Sequence, residues 1–341
     1  MKSSRGGVMH PGSWNPAELL KLSGSYWNTC TLHAGVKLDV FSPLCAEALS
    51  AAELADRRSF STRGLTMLLD ALTALELLAK EGERYAATDF AREFLDRASP
   101  SYLGHMIMHH HHLMASWERL DEAVRSGAPV RRSVSHEAEE QERESFLLGM
   151  FNLAMFIAPR VAEQIDLSGR KRLLDLGGGP GTYAIHFCQK NPGLQGVIFD
   201  LATTRPFAEK TLARFGMNDR IRFAAGDFQH DAIPGSFDVA WLSHVLHGEG
   251  PADCAHLLAK ATAALEPGGM LLVQEFVLDG NRAAPLFPAL FSLNMLLVTR
   301  DGQAYSEPEI RQLMAGAGLK RIERLPVELP NGAGILAGFK D

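Results

Sequence analysis

The apolar residues of the C-terminal half fall into short runs separated by stretches of helical periodicity. The runs predict five strands in the segments KRLLDL, GVIFD, IRFAAGDF, FDVAWLSHVLH and EPGGMLLVQEF. Between them, residues 203–215 and 251–265 have helical spacing. Strands that alternate with helices favour a parallel sheet. The pattern therefore predicts an α/β domain that closes with a hairpin in RIERLPVELPNGAGILAGFK.

The N-terminal pattern is different, because apolar positions recur at helical spacing from Ala17 to about Leu95. Five leucines share one face of a predicted helix, at positions 65, 68, 69, 72 and 75. The segment EGERYAATD predicts a turn and a short strand that would form a wing. The Gly, Ser and Pro content of residues 1–16 predicts an irregular N-terminal lead. Residues 100–165 are predicted to form a helical connector, whose clearest break is SGAPVRRS.

A glycine loop follows the first predicted strand and precedes a helix. Its glycines are Gly177, Gly178, Gly179 and Gly181, with Asp175 just before them. Glycines allow a ligand to approach the backbone closely, and the N–H groups of a helix start favour an anion. The dinucleotide fingerprint would require a third glycine where Thr182 stands, which argues against a nicotinamide cofactor.

Two acidic residues follow later predicted strands. Asp200 ends the run GVIFD, and a carboxylate at that point can accept hydrogen bonds from a ribose diol. Asp227 ends the next strand, where the alternative is an ordinary turn residue. Together with the glycine loop, Asp200 is typical of a nucleoside-binding edge of a doubly wound sheet.

Composition and charge exclude some classes of function. The net charge of −6 argues against a partner held through phosphates. The winged region Glu47–Arg97 has seven Lys and Arg against ten Asp and Glu, so DNA reading is disfavoured. No membrane span or secretory signal is predicted. The cysteines are scattered without a CxxC pair, which predicts reduced thiols in a cytoplasmic protein; they are Cys30, Cys45, Cys188 and Cys254.

The motifs DLGGGPGTYA, FDL, GDF, SHVLH and EPGGMLLVQEF, in this order, resemble the S-adenosylmethionine (SAM)-dependent O-methyltransferases of the plant caffeate and bacterial small-molecule type. SFLLGMFNLAM resembles the segment that precedes the glycine loop in those enzymes. The resemblance implies a Rossmann-like, seven-stranded class I methyltransferase domain behind a mostly α-helical, winged-helix dimerisation domain. It implies a homodimer with domains at 1–99 (dimerisation), 100–165 (connector lining the acceptor pocket) and 166–341 (SAM-binding).

The resemblance also implies the residues that bind SAM. Asp200 would hold the ribose, Asp227 and Phe228 would lie at the adenine, and the glycine loop would cradle the amino-acid end. The family has a lysine where Ser243 stands, so one contact on the adenine side is altered. The predicted set is Asp175, Gly177, Gly178, Gly179, Gly181, Asp200, Leu201, Gly226, Asp227, Phe228 and Ser243.

The resemblance places a general base at His247, oriented by Glu275. A phenol is mostly protonated at neutral pH, and a histidine is a suitable base for it. Two further acids of the family are replaced here by Ser292 and Ala304. Glu249 or Glu307 could compensate. The losses leave open methylation at carbon or nitrogen by placement alone, or a non-catalytic SAM-binding regulator.

The remaining predicted residues line the acceptor pocket in the resembled family and favour a small, apolar, aromatic acceptor. They are His109, His112, Met150, Met155, His244, Phe291, Asn294 and Met295. His105, His109 and His112 would share one helix face, a spacing that could hold zinc. Packing is the favoured interpretation of these histidines because no matching carboxylate or cysteine accompanies them. No metal is therefore predicted.

Overall fold

The computed structural model describes residues 14–131 and 140–341. The chain divides into two compact units, Met1–His111 and His112–Asp341, with the boundary inside helix α7 (Gly104–Trp117). The predicted lead at 1–16 and the predicted break at 126–133 lie partly outside the described residues.

The first unit packs short helices around a small antiparallel sheet. Its helices are α1 (Pro16–Ser23), α2 (Tyr26–Lys37), α3 (Phe41–Ala46), α4 (Ala51–Arg58), α5 (Thr62–Ala74) and α6 (Asp89–Phe94). Its strands pair in the order β1-β3-β2 and are β1 (Leu49–Ser50), β2 (Leu78–Glu81) and β3 (Arg84–Ala87). The β2–β3 hairpin is the predicted wing.

Helix α5 shows how the leucine pattern builds this unit. Ser61 caps it by accepting a hydrogen bond from the Gly64 N–H. Leu65, Leu69 and Leu72 are buried along one face, as the periodicity predicts. The other two leucines of the pattern pack against the same core while remaining partly exposed.

The second unit is an α/β sandwich. Its helices are α8 (Leu120–Ser126), α9 (Glu140–Gln164), α10 (Thr182–Lys190), α11 (Arg205–Arg214), α12 (Pro251–Ala263), α13 (Leu286–Val298) and α14 (Glu307–Gly316). Its strands are β4 (Arg172–Leu176), β5 (Gln195–Asp200), β6 (Ile221–Ala225), β7 (Phe237–Ser243), β8 (Leu265–Leu278), β9 (Tyr305–Ser306), β10 (Lys320–Arg324) and β11 (Ala333–Phe339).

Seven of these strands form one path in the order β10-β11-β8-β7-β4-β5-β6, and β9 adds two residues beside β8. The strands from β8 to β6 run parallel, whereas β11 is antiparallel to both of its neighbours. This confirms the predicted fold class, including the closing hairpin. The order reverses between β4 and β7, which is where doubly wound sheets bind ligands at their carboxyl edge.

Both faces of the sheet are covered, so its strands are apolar on both sides. On β4, Leu173 packs into the core that includes Trp241 and Phe187, and its neighbour Leu174 packs into the opposite core with Leu257. This alternation fixes the register of the strands, because a slip by one residue would exchange the two faces.

Among the described residues, one helix is long and apolar enough to cross a membrane by length and composition alone. It is the part Glu144–Gln164 of α9, and 33% of its most apolar 18-residue segment is buried. Core helices of globular domains share these properties. Ala158, Val161 and Ala162 of this helix are buried, and the last two lie in the core that α10 shares.

Candidate active site

The glycine loop joins β4 to α10 at the carboxyl edge of the sheet. Gly177, Gly179 and Gly181 have left-handed backbone, with φ values of 69°, 55° and 81°. Other residues rarely adopt this conformation. A Cβ on Gly178 would come within 2.5 Å of the Asp175 carboxyl carbon, so the loop has no room for side chains there. The result is a backbone-lined cradle at a helix start, as an anionic or polar ligand requires.

Asp175, in β4, stabilises this loop. Its side chain is 1% exposed and accepts a hydrogen bond from the Ala184 N–H at 3.3 Å. Burial raises the pKa of Asp175 to about 7, and the nearby Asp200 adds to the rise. Its burial therefore fits a role in shaping the loop, and does not fit a role as an exposed charge that contacts the ligand.

Asp200 is tied to the same loop from the neighbouring strand. One carboxylate oxygen accepts from the Gly179 N–H at 2.8 Å, and the other accepts from the Leu201 N–H at 2.6 Å and the Thr204 hydroxyl at 3.1 Å. Burial raises its pKa, and these donors oppose the rise. Each carboxylate oxygen can accept more than one bond, so capacity for a ligand hydroxyl remains.

Asp227 and its neighbours form the third side of the cradle. Gly226 donates to the Asp200 carbonyl at 3.0 Å, and a Cβ there would collide with the Phe199 ring at 2.4 Å. Asp227 accepts from the Gln229 N–H at 2.8 Å. Lys260 fixes the backbone that follows by donating to the Phe228 and Asp231 carbonyls, a contact that no sequence motif signalled.

His247 and Glu275 meet where β7 and β8 end. His247 lies in a short 3₁₀ turn, Leu246–Gly248, and its Nδ1 is 2.8 Å from Glu275 Oε2. The His247 backbone N–H also donates to Glu275 Oε1 at 3.3 Å. Burial alone would raise the pKa of Glu275, but His247 and then His244 outweigh it and hold that pKa below its usual range.

A second polar chain runs beside this pair. Gln274, 1% exposed, donates to the Tyr183 hydroxyl at 2.8 Å and lies 3.0 Å from His244 Nε2. Ser243 bonds Tyr183 as well. The sequence pattern gave no sign of Tyr183 or Gln274, because nothing local marks a contact between residues that are 91 positions apart.

Aromatic rings cover the histidine pair. Phe291 meets the His247 ring edge-on at a centroid distance of 4.8 Å, and Phe276 lies 4.3 Å from the His244 ring. Phe287 packs against Phe276 at 4.9 Å. Of these three phenylalanines, the sequence argument predicted Phe291 alone.

The two positions that lack the expected acids lie together. Ser292 Oγ accepts a hydrogen bond from the Ala304 N–H at 3.0 Å, and Ala304 is fully buried. Glu307 is not available as a substitute, because its carboxylate pairs with Arg311 at 2.8 Å and Arg324 at 3.1 Å.

The other predicted pocket residues are placed as follows. Asn294 accepts from the Trp117 indole N–H at 3.2 Å, and Met295 is buried on the same helix, α13. Met150 and Met155 are partly buried on α9. His109 lies in the first unit, and His112 is partly buried at the start of the second.

Within residues 14–131 and 140–341, one group of three side chains could share a metal ion, namely His244, His247 and Glu275. Their ligand atoms lie within 4.8 Å of one another. The run of histidines on α7 does not form such a group with described residues.

Comparisons with known proteins agree with this geometry. The profile of the O-methyltransferase domain matches residues 117–320, and that of the O-methyltransferase dimerisation domain matches residues 20–97. The chain is 34% identical over 345 residues to 3-hydroxy-5-methyl-1-naphthoate 3-O-methyltransferase of Streptomyces sahachiroi, with 100% of each chain covered. It is 31% identical to the N,N-dimethyltransferase OxyT of Streptomyces rimosus, over 89% of this chain and 90% of that one.

Among solved structures, human N-acetylserotonin methyltransferase in complex with SAM superposes with a TM-score of 0.82. The two chains are 28% identical, and the match covers 97% of this chain and 99% of the human one. The glycine cradle and the two strand-end aspartates fit such a cofactor. The chain belongs to the SAM-dependent, small-molecule O-methyltransferases.

Proposed function

We propose that this enzyme methylates a phenolic hydroxyl with His247 as general base and Glu275 as its orienting partner. The observation that supports this most directly is the 2.8 Å contact between His247 Nδ1 and Glu275 Oε2. An ionised carboxylate only accepts hydrogen bonds, so the proton of the neutral imidazole is held on Nδ1. The lone pair on Nε2 is then free to take a proton from the acceptor.

The buried carboxylate also stabilises the product of that proton transfer. When Nε2 takes the phenolic proton, His247 becomes a cation beside Glu275, whose pKa is held low enough to keep it ionised. A base that is positioned in this way contributes about 10²–10⁴-fold to the rate. SAM supplies an activated methyl group when bound, so the rest of catalysis is alignment, which can be worth roughly 7–11 kcal/mol.

For the cofactor, we propose that the loop from Gly177 to Gly181 holds the amino-acid end and that Asp200 accepts from the ribose hydroxyls. Asp227 and Phe228 would contact the adenine. The close approach of Gly179 N–H to Asp200, 2.8 Å, supports this assignment because it brings loop and carboxylate to one place. Leu201 and Gly226 shape the backbone on either side.

For the acceptor, we propose a hydroxylated bicyclic aromatic compound. Phe276 and Phe291 offer flat apolar surface next to His247. Aromatic rings pack well against such surfaces in offset or edge-on arrangements. The names of two similar enzymes, which act on a hydroxynaphthoate and on N-acetylserotonin, point to the same class of compound.

The test is His247→Ala, assayed with 3-hydroxy-5-methyl-1-naphthoate and related naphthols by release of S-adenosylhomocysteine. We expect a loss of about 10²-fold or more in kcat with SAM affinity preserved. The loss should shrink for more acidic phenols, which need less help to lose a proton. His256→Ala, which removes an exposed histidine from α12, is the matched control. Undiminished turnover by His247→Ala would rule out the base.

A second candidate is methylation of an amine on the same scaffold. The similarity to OxyT, named as an N,N-dimethyltransferase, favours it, as does the replacement of two acids by Ser292 and Ala304. A neutral amine already carries its nucleophilic lone pair and needs placement only. Aromatic amines in the same assay distinguish the two: amine turnover that is insensitive to His247→Ala would support this alternative.

We also propose a homodimer formed through the first unit. Large apolar side chains are exposed along its first two helices, with Leu20 72%, Trp27 67% and Leu19 59% accessible. Large exposed apolar side chains on two consecutive helices favour an interaction site, and the matched dimerisation profile begins at residue 20. The domain division at 1–99, 100–165 and 166–341, and a cytoplasmic location, stay predictions.

A further inference from the structure

His244 is held in an unusual backbone conformation at the point where β7 leaves the sheet. Its φ is 57°, in the left-handed region that residues with side chains rarely occupy. Its N–H donates to the Gln274 carbonyl at 2.9 Å, which extends the pairing with β8 by one residue. Strain of this kind persists where the surroundings enforce it, and it is concentrated at functional sites.

The contacts of the ring fix which nitrogen carries the proton. Gln274 Nε2 lies 3.0 Å from His244 Nε2, and an amide nitrogen only donates. His244 Nε2 is therefore the acceptor, and the proton of the neutral ring is on Nδ1. The same amide donates its other hydrogen to the Tyr183 hydroxyl at 2.8 Å.

This tautomer directs an N–H at the carboxylate that orients the base. His244 Nδ1 is 3.6 Å from Glu275 Oε2, the oxygen that His247 Nδ1 contacts at 2.8 Å. Buried in the fold, Nδ1 has no closer hydrogen-bond partner among the described residues. Hydrogen bonds at active sites are often long without substrate and shorten when it binds.

We propose that His244 is a positioning residue that acts on His247 through Glu275, as the second N–H donor to that carboxylate. The proposal rests on the base role of His247. Two N–H groups on one oxygen fix the rotation of the Glu275 side chain, and with it the direction in which His247 Nε2 points. Ser292 and Ala304, which stand where the resemblance implies acids, bond to each other, so we assign the second constraint on Glu275 to His244.

The Cys254 thiol also lies near this carboxylate. Burial raises the pKa of the Cys254 thiol, on α12, to about 12. Burial likewise raises the pKa of Tyr183, on α10. The groups that hold the pKa of Glu275 down are His247 and His244. Removing His244 therefore takes away one of these two partners.

The test is a double-mutant cycle with His244→Ala, His247→Ala and the combined variant, using 3-hydroxy-5-methyl-1-naphthoate and SAM. We expect His244→Ala to lower kcat roughly tenfold, within the range of coupling between neighbouring residues. SAM affinity by calorimetry should stay unchanged. Because His244 acts only through the base, the combined variant should be no slower than His247→Ala alone. His256→Ala is the control for loss of a histidine.

Nitrogen-15 NMR of the histidine rings in the full chain measures which ring nitrogen carries the proton, and it does not depend on turnover. We expect the proton of His244 on Nδ1 in the wild type, and a loss of that preference in Gln274→Met. A proton on Nε2 would mean that Gln274 presents its oxygen instead, and would overturn the proposal.

The kinetic outcomes separate this proposal from the proposed function. Wild-type turnover by His247→Ala would end the base assignment, and this inference with it. A large loss in His247→Ala with none in His244→Ala would end this inference alone, as would losses that multiply fully in the combined variant.

Discussion

At the scale of single residues, Asp175 makes the stability of the folded chain depend on pH. Burial raises its pKa to about 7, above the usual value of 3.8. Between these values the unfolded chain releases the proton while the folded chain keeps it, so the free energy of unfolding falls as pH rises from about 4 to about 7. The loss is up to about 4 kcal/mol for a shift of this size.

Asp175→Asn should remove this dependence. An asparagine oxygen can still accept from the Ala184 N–H, so the loop keeps its anchor. We expect the difference in unfolding free energy between variant and wild type to grow in favour of the variant from pH 4 to pH 7. Urea unfolding at several pH values measures it. A difference that stays constant with pH would contradict the assignment.

Asp200 should matter for the cofactor itself. Asp200→Ala removes a carboxylate that we assign to the ribose, which should cost about 1.5–3 kcal/mol, or roughly 10- to 150-fold in SAM affinity. Asp200→Asn is the matched variant, because one side-chain oxygen remains to accept from Gly179. Calorimetry on the three proteins would contradict the assignment if all bound SAM equally.

At the scale of elements, the glycine loop can be tested for its two separate constraints. Gly181 has left-handed backbone, and a Cβ there would come within 2.3 Å of Ile198 Cδ1. Gly179 also has left-handed backbone, but no atom lies within 4 Å of its Cβ position. Gly181→Ala should therefore lose stability through both the left-handed conformation and steric crowding. Gly179→Ala should lose it through the conformation alone.

We therefore expect Gly181→Ala to be the less stable variant by about 1–3 kcal/mol, the usual cost of overpacking. Both variants should lose roughly 1–2 kcal/mol for the left-handed conformation. Thermal and urea unfolding of the two proteins make the comparison. If the two variants were equally stable, crowding against Ile198 of β5 would cost nothing, and the prediction would be wrong.

Elements were predictable where their signal is local. The strand β4, the glycine loop and the start of α10 follow from apolar runs and glycine spacing within 20 residues. The resemblance to the family implied the pairing of His247 with Glu275, and the structure brings His247 Nδ1 within 2.8 Å of Glu275 Oε2. The bond from Gln274 to Tyr183 and that between Ser292 and Ala304 could not, because they depend on side-chain directions set by packing across the sheet.

At the scale of the whole molecule, the exposed apolar surface of α1 and α2 predicts a stable dimer. Light scattering should give a particle of twice the 37.2 kDa of one chain. Leu20→Glu combined with Trp27→Glu should weaken it, because a charge costs free energy when it is buried at an interface. Val124→Glu, at a similarly exposed valine of α8, is the control. A fully active 37.2 kDa particle at micromolar concentration would refute the dimer.

The bond between Ser292 Oγ and the Ala304 N–H also bears on which acceptors the enzyme tolerates. The resemblance to the family implies carboxylates at these two positions, where this chain has a hydroxyl and a methyl group, so the site would lack two negative charges. An acceptor that carries its own carboxylate, as a naphthoate does, is repelled less by such a pocket than by one with all three acids. We therefore expect this replacement to favour acceptors that carry a negative charge.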